Sequence, residues 1–185
     1  MLDFYLLIPC YNNTDGLIRS LLSVQYPKEK YKVLVVDDGS TVPVALSQLP
    51  EELIANQQIE ILRLPENKGI TEALNTGLRL ILSRNDSLYT ARLDCGDICT
   101  PDRFTKQIQF LSVNTDVALI GSLCLFVDAA KKIRYVYMAA EQQDAIFKQM
   151  HLKCSFIHPT VVFRINILKY NELYPAHYPH AEDYA

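Results

Sequence analysis

Short apolar runs recur through the first hundred residues, and each stops at a polar cluster. FYLLI (residues 4–8), KVLVV (32–36), IEILRL (59–64) and LYTARL (88–93) are rich in β-branched and aromatic residues. Their length and composition predict buried strands. Between them the spacing turns helical. In ITEALNTGLRLIL, Ile70, Ala73, Leu74, Gly77, Leu78, Ile81 and Leu82 recur at the three- and four-residue steps of one helical face, which predicts a helix over 70–82 packed on a sheet. Strands alternating with helices imply an α/β fold.

Beyond residue 100 the pattern changes. PDRFTKQIQFL predicts a helix with Pro101 in its first turn, and VALIGSLCLFVDAAKKIRYVYM predicts two strands joined by a polar turn at residues 128–131. EQQDAIFKQM reads as a further helix. FIHPTVVFR reads as a strand whose Pro159 points to a sheet edge or a bulge. This half is expected to be mixed or antiparallel, and no repeat or linker divides the chain.

Composition narrows the function classes. The chain has 185 residues, 49% apolar and 21% charged, as expected of one globular domain with a sizeable core. A formal charge of -3 without a long basic run argues against a nucleic-acid partner. Apolar stretches such as residues 117–127 are shorter than a membrane span, and the first strand begins almost at Met1, so neither a span nor a leader is expected. Five cysteines without a CxxC fit reduced thiols, mostly small core residues, in a cytoplasmic protein.

The candidate chemistry lies in the segments at the ends of the four strands: IPCYNN, VDDGST, PENKG and RLDCGD. In an open parallel sheet these strand ends converge, and ligands bind outside them. Each cluster taken singly is also what a turn or helix cap requires; in particular, Asp97 could cap the next helix. Together they supply the groups a nucleotide needs. Asp37, Asp38 and Tyr11 offer acceptors and a flat wall for a base or ribose, Lys68 and Arg92 offer cations for a pyrophosphate, and Asp94 with Asp97 offers hard oxygen ligands for Mg²⁺ or Mn²⁺. No GxGxxG follows a strand, and no P-loop pattern occurs. Near the end, His177 and His180 with neighbouring acids have a spacing that matches no strong zinc pattern, and a surface loop is the plainer reading. Glu182 or Asp183 is a candidate general base.

In order, IPCYNN, VDDGST, ENKGITEALNTGL, ARLDCGDICTPDRFTKQIQFL, HPTVVFR and AEDYA resemble the catalytic domain of a family 2 glycosyltransferase over nearly the whole chain. The resemblance implies a GT-A fold: a Rossmann-like, mostly parallel sheet flanked by helices, with a small mixed or antiparallel C-terminal part. It implies one domain, residues 1–100 forming the nucleotide-binding half and 101–185 the start of the acceptor half, with further helices expected beyond AEDYA. Pro9, Tyr11 and Asn12 match positions that shape the nucleotide pocket, Asp37 or Asp38 the position that binds base or ribose, and Asn67, Lys68 and Gly69 further nucleotide-contacting positions. Arg92 and Asp94 lead into the family's DXD motif, which holds Mn²⁺ or Mg²⁺ and the donor diphosphate. Glu182 and Asp183 match the AED segment, with Asp183 where inverting members carry the catalytic base.

One departure is plain: the usual D-A-D-D reads D-C-G-D, so Gly96 replaces the second Asp of the DXD and leaves Asp94 and Asp97 as the metal candidates. The implied function is inverting transfer of a sugar from a nucleoside-diphosphate donor, UDP first among them, to a saccharide or lipid-linked acceptor in cell-surface polysaccharide or lipopolysaccharide synthesis. That setting places the protein in the cytoplasm at the inner face of the membrane, associated peripherally through its acceptor. Two alternatives are a non-catalytic sugar-nucleotide or carbohydrate-binding domain and a sugar nucleotidyltransferase. The second normally carries a Gly-rich phosphate loop after the first strand, where this chain has IPCYNN.

Overall fold

A computed structural model describes residues 1–169 and 174–175. A six-stranded sheet forms its centre, built from β1 (Leu2–Cys10), β2 (Tyr31–Asp37), β3 (Ile59–Arg63), β4 (Ser87–Arg92), β5 (Leu119–Ile120) and β8 (Val162–Arg164) in the order β3-β2-β1-β4-β8-β5. The first four strands are mutually parallel, while β8 runs antiparallel to both β4 and β5. The mostly parallel α/β fold is as the sequence pattern predicts.

The strands are apolar because both faces are covered. Phe4, Tyr5, Leu6, Leu7 and Ile8 of β1 are all fully buried. Alternate residues serve opposite layers, as strand geometry requires. Phe4, Leu6, Ile8 and Cys10 join Leu17 and Leu21 of α1 (Thr14–Leu22), Leu53 of α2 (Glu51–Asn56), and Phe104, Ile108 and Leu111 of α4 (Arg103–Val113). Tyr5 and Leu7 face Leu74, Leu78 and Ile81 of α3 (Ile70–Arg84). The predicted apolar face of α3 is the buried one, except that Ile70 is largely exposed at its first turn.

Two expectations for the second half change. The apolar run 117–127 divides: β5 joins the main sheet, whereas β6 (Cys124–Val127) pairs with β7 (Ile133–Tyr137) in a separate antiparallel hairpin. Most of the apolar side chains of that hairpin are exposed. The strand containing Val162 is not an edge strand, since β8 lies between β4 and β5. Pro159 falls in a 3₁₀ turn, His158–Thr160, where its missing N–H removes nothing from the ladder. The helix α5 (Gln143–Met150) forms as expected. Among the described residues no helix is long and apolar enough to cross a membrane.

Candidate active site

The parallel register brings the four polar clusters to one edge of the sheet. Cys10 pairs with Asp37 and Leu7 with Arg92, so β1, β2 and β4 end side by side. β1 connects to β2 on one side, and the chain later returns on the other side as β4. The crevice between the ends of β1 and β4 is therefore the switch point of the sheet, the place where such folds bind ligands.

Hydrogen bonds tie the clusters to one another. Asn12 takes a left-handed conformation (φ 49°); its backbone N–H donates to Ser40 Oγ at 2.9 Å, and its side-chain oxygen accepts from Thr41 N at 2.8 Å. Asp38 is buried. Its carboxylate oxygens accept from the backbone N–H groups of Lys68 (2.8 Å) and Gly69 (2.9 Å), at the entrance to α3. An acidic group suits that position, because a helix N-terminus carries unpaired donors and partial positive charge. Gly39, with φ +68°, lies so close to the Glu66 backbone that a Cβ there would clash.

The fourth cluster folds back onto the first. Asn13 caps α1 through Gly16 N (3.0 Å), and its amide donates to Cys95 O at 3.2 Å. Ser20 Oγ donates to Asp94 O (3.3 Å) and accepts from Gly96 N (2.9 Å). Asp97 N donates to Asp94 O at 3.0 Å, closing a turn in which Gly96 takes φ +111°. An L side chain rarely adopts that conformation. Glycine at this position therefore suits this turn where the family's aspartate would strain it.

Two of the residues expected to contact a ligand are buried. Arg92 is fully buried, and its guanidinium donates to Leu7 O (2.8 Å) and to Asp94 Oδ1 (2.7 Å). It anchors Asp94 from within the sheet. Asp37 is equally buried. Its carboxylate, with no exposed surface, accepts from Ser40 N, Val44 N and Arg63 Nη1. Burial pushes this carboxyl up, but the bonds from Ser40, Val44 and Arg63 outweigh burial and hold it below the usual carboxylate range.

The remaining candidates sit at the surface of the crevice. Tyr11 is half exposed, Asn67 and Lys68 are exposed, and Pro9 and Gly69 are partly covered. Asp94 keeps about a third of its side chain in solvent (35%) and Asp97 is exposed. Desolvation by the surrounding chain, followed by the charge of Asp94, raises the Asp97 carboxyl above its ordinary value against the pull of Arg103. Two carboxylates in mutual repulsion suit a hard divalent ion that keeps water or phosphate oxygens as its other ligands. No group of three or more metal-ligating side chains occurs among the described residues.

Asp97 does not cap the next helix: α4 starts at Arg103, after Asp102. Arg103, the first residue of α4, is buried and donates to Arg92 O (2.8 Å), Gln107 Oε1 (3.0 Å) and Cys99 Sγ (3.3 Å). Asn13 and Ser20 also escaped the sequence reading as braces of the site. Asn13 carried a usable signal, an N-cap residue directly after a strand end. His177, His180, Glu182 and Asp183 lie outside the described residues.

A mostly parallel α/β sheet with polar loops and a carboxylate pair at its switch point is an α/β domain of GT-A type. Residues 5–169 match the family described as Glycosyl transferase family 2, and the chain belongs to that family. It is 31% identical over 164 residues to the amylovoran biosynthesis glycosyltransferase AmsE of Erwinia amylovora, covering 87% of this chain and 59% of that protein. Its fold is similar to S. aureus TarS 1-349 in complex with UDP (TM-score 0.73, 19% identity, 99% of this chain and 53% of the other). It is also similar to the mannosyltransferase PcManGT of Pyrobaculum calidifontis in complex with GDP-Man and Mn²⁺ (TM-score 0.68, 17% identity, 97% and 49%). The chain thus spans roughly half of each of these proteins.

Proposed function

We propose that the chain binds a nucleoside-diphosphate sugar in the β1–β4 crevice and, as the donor half of an inverting glycosyltransferase, passes the sugar to an acceptor hydroxyl in cell-surface polysaccharide synthesis. The observation that carries this reading is the convergence of four polar loops on the switch point, with the Asp94–Asp97 pair in the fourth. Family membership supports it, as do the UDP and GDP-Man complexes of proteins with the same fold. UDP is the first donor nucleotide to test.

In this reading Tyr11 provides a flat wall for the base. Asp38, rather than the inaccessible Asp37, is left for the base or ribose while it also holds the Lys68–Gly69 loop. Lys68, exposed beside that loop, can meet the diphosphate. Asp94, fixed by Arg92, and Asp97 would hold Mn²⁺ or Mg²⁺, which when bound supplies positive charge for the departing diphosphate. Asp183 is assigned the role of base, taking the acceptor proton as the hydroxyl attacks the anomeric carbon from the face opposite the leaving group. Residues 1–100 serve the donor and residues 101–185 begin the acceptor side.

Calorimetric titration of UDP, dTDP and GDP, with Mn²⁺ and then with EDTA, tests the donor site. Metal-dependent binding of one nucleotide is expected. No binding of any of the three would reject the reading, and binding that survives EDTA would remove the metal from it. Asp183→Asn should abolish transfer with donor affinity nearly unchanged, as measured in the protein with its acceptor; full turnover in that variant would reject the base assignment.

A further inference from the structure

The five cysteines form no disulfide, and two of them meet at the proposed donor site. Cys10 closes β1, and Cys95 lies in the fourth loop between Asp94 and Gly96. The β1–β4 ladder pairs Leu7 with Arg92, an offset of 85 residues. β4 ends at Arg92, and the turn after it folds back on the end of β1, bringing Cys95 against Cys10 and Asn13. The two sulfurs face each other at 3.4 Å. Cys10 is 2% exposed, whereas Cys95 is partly open to solvent.

We propose that Cys10 and Cys95 form a reversible disulfide that turns the donor site off. A hydroperoxide is the oxidant. The more accessible Cys95 sulfur attacks its O–O bond, becoming a sulfenic acid as the other oxygen leaves as water or an alcohol. The Cys10 sulfur then displaces the sulfenic oxygen as a second water and completes the S–S bond. A dithiol reductant reverses the change by thiol–disulfide exchange.

Closure draws Cys95 toward Cys10, because the sulfurs have to approach from 3.4 Å to about 2.05 Å. Cys95 Sγ also touches Asn13 O at 3.1 Å, and Cys95 O accepts the Asn13 amide at 3.2 Å. A shift of Cys95 therefore acts on the end of β1 and on Asp94, its direct neighbour, together. The effect on donor binding rests on the proposed function; formation of the bond does not.

The test treats the reduced chain with stoichiometric hydrogen peroxide, alkylates the remaining thiols, and maps linked peptides by mass. Nucleotide affinity is measured before oxidation, after it, and after dithiothreitol. The expected result is a linkage between residues 10 and 95 and an affinity loss of about tenfold or more that the reductant restores, since small displacements in a site carry large penalties. Cys95→Ala, compared with its own reduced state, should form no linkage and lose no affinity on oxidation. Oxidation without a 10–95 linkage, or a linkage that leaves affinity unchanged, would overturn the proposal. If the reduced protein binds none of the three nucleotides, the donor reading fails and the switch with it, while the linkage map separately accepts or rejects the bond.

Discussion

Replacing Arg92 with methionine removes a fully buried cation while keeping much of its volume. Two hydrogen bonds disappear, one to Leu7 O at 2.8 Å and one to Asp94 Oδ1 at 2.7 Å. Bonds to a charged group contribute about 1.5–3 kcal/mol each, which sets a gross loss of about 3–6 kcal/mol. Two features reduce it. The Asp94 side chain is 35% exposed, so water takes over part of its solvation when the guanidinium goes. Arg103 donates to Arg92 O and is destabilised as a cation first by its own burial and also by the Arg92 charge, which the substitution relieves. A net loss of about 2–4 kcal/mol is expected. Urea denaturation reads it as a drop of about 1–2 M in midpoint at a slope of about 2 kcal/mol/M. Nucleotide affinity supplies the second reading. If Arg92 acts only through Asp94, Arg92→Met should weaken binding in the wild-type background and have little further effect beside Asp94→Ala. An equal loss in both backgrounds would show the arginine reaching the diphosphate directly, and a midpoint change below about 0.3 M would refute the energetic argument.

The other predictions concern the framework of the site. Asp37→Asn should cost about 1–3 kcal/mol near neutral pH, because a neutral amide cannot accept from Ser40, Val44 and Arg63 as the carboxylate does. The folded carboxyl lies below its unfolded value, so its stabilisation is present above about pH 4 and is lost as pH falls toward the depressed folded value. Denaturation curves of wild type and variant should therefore converge in acid, and a constant gap would contradict the assignment. Restoring the family's acid with Gly96→Asp should destabilise the protein by about 1–2 kcal/mol through the φ of +111° alone, since a Cβ there meets only Asn13 Nδ2, at 3.6 Å; a higher melting temperature would show that the turn accepts a side chain. His158 is pushed down to about 3, mainly by burial and then by Arg92. Its unfolded value of about 6.5 is higher, so stability should fall as pH drops from about 6.5 toward 3, and His158→Gln should flatten that slope; an unchanged slope would reject a buried neutral histidine.

What the sequence determined was mainly what depends on neighbours along the chain. The period of the apolar residues predicted β1 to β4 and the inner face of α3. The polar clusters after each strand marked the binding edge because all parallel strands point the same way. Tyr11, Lys68, Asp94 and Asp97 were found by that logic and are at least partly exposed on the expected edge.

Tertiary structure decided the roles within the clusters. Adjacent aspartates look alike in sequence, yet Asp37 turns inward to Ser40, Val44 and Arg63, while Asp38 ties down the loop before α3. Arg92 read as a cation facing a pyrophosphate, since a charged residue carries no mark of the partners that permit its burial. The partners of Arg92 are Leu7 O, 85 residues away, and Asp94. The meeting of Cys10 with Cys95 has the same origin, the fold-back of the turn after β4 onto the end of β1. Local pattern reports which residues can be buried, whereas the partner that makes burial of a charge tolerable is chosen only when distant segments pack together.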